Sequence, residues 1–167
     1  MVTRITNSLD QINTFIGKGT SWLTLLLVIV IILDVCLRYI FSITSSASFE
    51  LEWHLFALIF LLSAGWTLKE DQHVRVDVFY QKFSDKQKAW VNLLGVIFLL
   101  LPLCVIGASE GFQFAANAWK LDETSPDPGG LPARYIIKGA IPVGFILLGL
   151  QGVSLALRSL QTILKDA

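Results

Sequence analysis

Trp22-Leu-Thr-Leu-Leu-Leu-Val-Ile-Val-Ile-Ile-Leu-Asp-Val-Cys-Leu-Arg-Tyr-Ile-Phe-Ser-Ile43 decides the class of this protein. The run is as long as the roughly 20 helical residues that cross a hydrocarbon core, and only Asp34 and Arg38 interrupt it. In lipid every backbone N–H and C=O must be satisfied within its own segment, so such a run is a helix. Three more runs follow, at about 49–68, 89–109 (with a possible extension to 119) and 139–157. The expected fold is therefore an all-α integral membrane domain of four transmembrane helices. Composition agrees: 54% of the 167 residues are apolar, 16% are charged, and mean hydropathy is +0.64. Soluble domains carry about 25% charged residues. Net charge is zero, which leaves no electrostatic footprint for nucleic acid.

Basic residues set the expected orientation. Arg4, Lys18, Lys69, Arg75, Lys82, Lys86, Lys88, Arg158 and Lys165 fall at one side of the four runs, and Arg38, Lys120, Arg134 and Lys138 at the other. Nine against four places both chain ends and the 69–88 loop in the cytoplasm, and the 110–138 loop outside. Trp22, Trp66 and Trp90 then mark inner ends, and Trp53 and Trp119 outer ends, where amphipathic indoles prefer to sit. The first twenty residues are polar and mixed, unlike a secretory signal, so the first apolar run is expected to be a retained anchor.

Two flanking segments are expected to lie on the inner interface as helices. Over residues 1–18, Ile5, Leu9, Ile12 and Ile16 form one apolar face. The loop at 69–88 carries Val74, Val76, Val78, Phe79 and Tyr80. Pro102 in the third run should kink it, whereas Pro142 near the start of the fourth removes a bond of little consequence. Cys36 and Cys104 lie singly in apolar runs and read as inert thiols.

Charges within a span need an explanation. Asp34 and Arg38 are one turn apart and can pair. Arg38 also lies sixteen residues beyond Trp22, about 24 Å along a helix. That depth matches Glu50, Glu52 and His54 at the outer start of the second run, so Arg38 is expected to meet Glu50 or Glu52. An interhelical ion pair, or a contact to a partner subunit, is the favoured reading of these four charges over proton or substrate handling. No chain of ionisable groups continues below Asp34.

No catalytic, substrate or metal residues are expected, and no cofactor. His54 and His73 fall at opposite sides and cannot share a haem iron, paired cysteines are lacking, and no phosphate-binding glycine loop or HExxH occurs. The spans show neither internal repeat nor mid-membrane break, so the chain does not read as a transporter by itself. An accessory or scaffold subunit packed against a larger membrane partner remains. The alternative is the membrane anchor of a redox complex.

Arg38-Tyr-Ile-Phe, Phe49-Glu-Leu-Glu-Trp-His and His73-Val-Arg-Val-Asp-Val-Phe-Tyr resemble the small (DctQ-like) membrane subunit of tripartite ATP-independent periplasmic (TRAP) transporters. So does the external Ser125-Pro-Asp-Pro-Gly-Gly-Leu-Pro-Ala-Arg, followed by Tyr135-Ile-Ile-Lys and Ile141-Pro. The resemblance covers nearly the whole chain in size, span number and order, with His73, Arg75 and Asp77 as its cytoplasmic loop motif. It implies a multi-pass protein of the bacterial inner membrane with two partners, a large membrane subunit and a periplasmic substrate-binding protein, serving sodium-coupled uptake of an organic acid. The small subunit would be a separate polypeptide that enlarges and anchors the scaffold. It would hold neither sodium nor substrate. Glu110, Lys120, Asp122, Glu123, Asp127 and Arg134 are the expected docking charges for the binding protein.

Overall fold

The computed structural model describes residues 2–72, 80 and 82–165. The interfacial helix expected in the middle loop, with His73, Arg75 and Asp77, lies outside the described residues. Among those described the elements are α1 (Val2–Phe41), α2 (Ser46–Lys69), α3 (Asp85–Gly95), a π-helical turn (Val96–Leu100), α4 (Leu101–Lys120) and α5 (Tyr135–Lys165). α3, the π turn and α4 run on as one 36-residue span, so four helices are long and apolar enough to cross a membrane.

α5 is the element that all the others share. α1, α2, α3 and α4 each pack on it, α2 also packs along α1, and α1 and α4 stand at opposite edges. The interior is rich in small and polar residues, set among Leu55, Val96, Ile137, Leu147 and Ile163, because lipid tails give apolar side chains little reason to turn inward. Ser154, Thr20, Ala118, Gly144 and Gly152 are buried, while Leu25, Ile29, Phe98, Phe112 and Ile146 face outward. A Cβ at Gly65 would stand 2.9 Å from the Leu147 carbonyl oxygen and also meet the Asn13 side chain, so the approach of α1, α2 and α5 there depends on hydrogen at that position.

Two sequence expectations are revised. Residues 1–18 are not a separate interfacial helix. Residues 2–18 form the opening turns of a 40-residue α1 that would be about 60 Å long. The side turned inward is polar: Thr6, Asp10, Asn13, Gly17 and Thr20, at alternating spacings of four and three, are buried, whereas Ile5, Ile12 and Phe15 are exposed. Pro102 acts one turn earlier than its own position. Lacking an N–H and crowding the carbonyl four residues back, it follows a π turn in which the N–H of Leu101 reaches the carbonyl of Val96.

Candidate functional site

The bundle carries two polar clusters, one at each end. We call outer the end that the count of basic residues assigns to the outside. α2 begins there with Ser45 as N-cap, its side chain accepting from the Ser48 N–H. The second turn brings Glu50 to the inner side of the external loop, where the residue is 2% exposed. Its carboxylate accepts from three donors. Ser125 Oγ and Arg134 Nη2 (2.9 Å) bond Oε1, and the Leu131 backbone N–H bonds Oε2 at 2.6 Å. The loop completes itself around this anion. Ser125 Oγ also accepts from the Asp127 N–H (3.0 Å), Ser125 N donates to the Leu131 carbonyl, and Arg134 N donates to the Glu123 carbonyl. Gly129 supplies the left-handed turn at φ 76°, where a side chain is costly, and Gly130 lies so close to Ser125 and Glu50 that a Cβ would collide with both. Both oxygens of the Glu50 side chain act as acceptors, a role an amide could not fill without turning an N–H toward one of the three donors.

The inner cluster joins α1 to α5. Asp10 accepts from Gln151 Nε2 (2.9 Å), Ser154 Oγ (2.8 Å) and Arg158 Nη2, and Asn13 Nδ2 donates to Gln151 Oε1 at 3.0 Å. At the C-terminal end of α2, Glu70 accepts from Lys69 Nζ (3.0 Å) and Trp66 Nε1 (3.2 Å). The hydrogen bond from Lys69 and its positive charge hold the Glu70 carboxyl below the usual carboxylate range.

These positions redistribute the charges singled out in the sequence. Arg38 bonds Asp34, its neighbour one turn back, and not Glu50 or Glu52. Asp34 is buried while the Arg38 side chain is 45% exposed. The sequence reading put Arg38 and Glu50 at one depth, but Glu50 turns toward the external loop, where Arg134 supplies the guanidinium. Glu52 is partly buried and has no ion pair among the described residues. Of the six docking candidates, Arg134 is bound to Glu50 and Glu123 to Lys138, whose ammonium also stands 3.8 Å over the Phe114 ring. Glu110, Lys120, Asp122 and Asp127 are exposed. Sequence reasoning missed Asp10, Asn13, Gln151, Ser154 and Arg158 as a set. The available signal was the polar residues recurring every three to four positions from Thr6 to Thr20. Among the described residues no three His, Cys, Asp or Glu side chains stand together as a metal site.

The polar groups of the bundle thus bind one another and the loop between α4 and α5. The family described as "Tripartite ATP-independent periplasmic transporters, DctQ component" matches residues 27–162. The chain belongs to this family. It is 28% identical over 138 residues to a Haemophilus influenzae (strain ATCC 51907 / DSM 11121 / KW20 / Rd) protein provisionally named a TRAP transporter small permease protein. That match covers 80% of this chain and 86% of that protein. This DctQ-family chain is thus a multi-pass membrane protein of the small-permease class, and both of its polar clusters lie wholly or mainly within the matched span: Glu50, Ser125, Leu131 and Arg134 at the outer end, Gln151, Ser154 and Arg158 at the inner. Only the α1 partners Asp10 and Asn13 precede it.

Proposed function

We propose that this chain is the static small subunit of a three-part importer. It enlarges and anchors the scaffold of a large membrane subunit in a bacterial inner membrane, with both chain ends in the cytoplasm. Its external loop helps to seat a periplasmic protein that delivers an organic acid, and a sodium gradient drives uptake. The observation that carries the reading is the external loop itself. Buried Glu50 holds it folded, and its own ion pairs consume Glu123 and Arg134 while Lys120, Asp122 and Asp127 stay exposed. Exposed rim charges on a rigid loop set the orientation and rate of docking more than its affinity. A preformed loop also spares the ordering cost that a flexible one meets on binding.

The half-exposed Arg38, held by Asp34 at the tip of the first helical hairpin, offers a contact for the large subunit. An arginine with one donor engaged has others to give to a partner's carbonyls or carboxylates. The test is purification of the tagged full-length chain in mild detergent, with mass spectrometry of what accompanies it. A large multi-pass subunit of the same transporter class in stoichiometric amount is expected. Recovery of the chain alone, or with a haem- or flavin-bearing subunit, overturns the proposal.

A further inference from the structure

Charged residues mark where each helix leaves hydrocarbon, and the contacts between helices show how those marks align. Between α4 and α5, Gly111 faces Pro142, Gly107 faces Phe145 and Cys104 faces Gly149. Between α2 and α5, Leu61 faces Gly144 and Gly65 faces Leu147, and Glu50 bonds Arg134, the residue just before α5. α1 is keyed to both neighbours, by Gly17 against Trp66 and Asn13 against Gln151. Lys18, next to Gly17, therefore lies level with α5 near Leu147, and Glu110, next to Gly111, lies level with Val143. The two are separated along the bundle axis by only about 6 Å.

Yet Lys18 opens the uncharged run of α1 and Glu110 closes that of the third span, so they belong at opposite membrane faces. An upright bundle would hold both charges near one plane, at a cost that lipid does not offset. The other charges follow the same gradient from the α1 edge to the α4 edge. At one face Lys18, Lys69, Arg158 and Lys88 step steadily along the axis, and at the other Asp34, Glu52, Lys138 and Glu110 do the same. We infer that the bundle sits obliquely in the bilayer, its apolar belt sheared across the helices. A shift of about four residues per helix across an 8–10 Å spacing corresponds to a tilt on the order of 30°.

Trp22 follows the same pattern. Counting outward from the Gly17–Trp66 contact puts it level with Leu61 and Gly144, close to the Glu110 level, although it marks the other membrane face. Oblique seating widens the footprint that must be dragged through lipid. It leaves α1 with the shortest uncharged crossing, residues 19–33, so the bilayer thins at that edge and Lys18 extends its chain toward water. The inference concerns the bilayer as partner and holds whatever subunit accompanies the chain.

Single cysteines at Gly19→Cys, where a Cβ meets nothing within 4 Å, and at exposed Ser109→Cys test it, with Cys36→Ser as background and the buried Cys104 retained. A membrane-impermeant maleimide is applied to spheroplasts and to inverted vesicles. The oblique bundle labels each position from a different side, by at least fivefold over the other. Labelling of both from the same side, or of neither from any side, overturns it. As a second measurement, spin labels at Lys18→Cys and Glu110→Cys in nanodiscs are to be tested for depth. Both are expected to be more accessible to a water-soluble nickel chelate than to oxygen, whereas a mid-bilayer profile for both identifies an upright bundle.

Discussion

Glu50 is the residue on which the outer end turns. Its three donors come from Ser125, Leu131 and Arg134, all more than seventy positions away in the chain. Glu50→Gln cannot satisfy them. With its oxygen toward Ser125 and Arg134 the amide sets N–H against the Leu131 N–H, and turned over it sets N–H against the guanidinium. The expected result is a loosened loop, seen as faster proteolysis between residues 121 and 134 in proteoliposomes while α2 and α5 stay protected. Pairing it with Arg134→Met removes the opposing cation and lets Ser125 accept from the amide, so protection should partly return. At the point where α1, α2 and α5 meet, Gly65→Ala places a methyl group against Asn13 and the Leu147 carbonyl and should cost about 1–3 kcal/mol, read as a lowered Tm in detergent. The sequence marked Glu50 as a charge needing a partner. It could not name Arg134, because pairing across 84 positions depends on the side to which α2 turns.

At the scale of elements, the first half of α1 is a clamp. Its polar stripe, with Asp10 at the centre, gives α5 acceptors for Gln151, Ser154 and Arg158. Asp10→Ala leaves those donors unanswered in a buried seam and should destabilise the bundle by about 1–3 kcal/mol, because an unsatisfied buried donor keeps its full desolvation cost. Proteolysis should then begin in residues 2–18. Deletion of residues 2–16 removes Asp10 and Asn13 together and is expected to lower both assembly and uptake, measured by co-purification and by transport in cells. Intact assembly and uptake after that deletion would show that the clamp has no anchoring role. Apolar periodicity over Ile5, Leu9, Ile12 and Ile16 was legible in the sequence. Which of the two faces turns inward was not, since an amphipathic helix presents both faces to any reader and the choice lies with α5.

At the scale of the whole molecule, the described helices form one connected body around α5 with an acidic, folded loop at one end. Asp122→Lys with Asp127→Lys leaves the Glu50 and Glu123 ion pairs untouched. It is expected to slow capture of the periplasmic partner about tenfold at low salt, with the difference shrinking as ionic strength rises, measured by surface plasmon resonance on nanodisc-held complex. An unchanged on-rate at every salt concentration would place the docking contact elsewhere.

Sequence alone determined the class, the four spans and the family resemblance. The hydrocarbon core demands a helix of a certain length and apolarity, and that demand is written locally along the chain. It also marked the charges that no bilayer accepts without cause. Tertiary structure decided which charge answers which: Arg38 stays with Asp34, Arg134 takes Glu50, and Asp10 reaches across to Arg158. It also decided that α1 packs by its polar side and that the apolar belt is sheared across the bundle. Those choices arise from registers between helices, and a register is a relation between distant segments that local pattern does not carry.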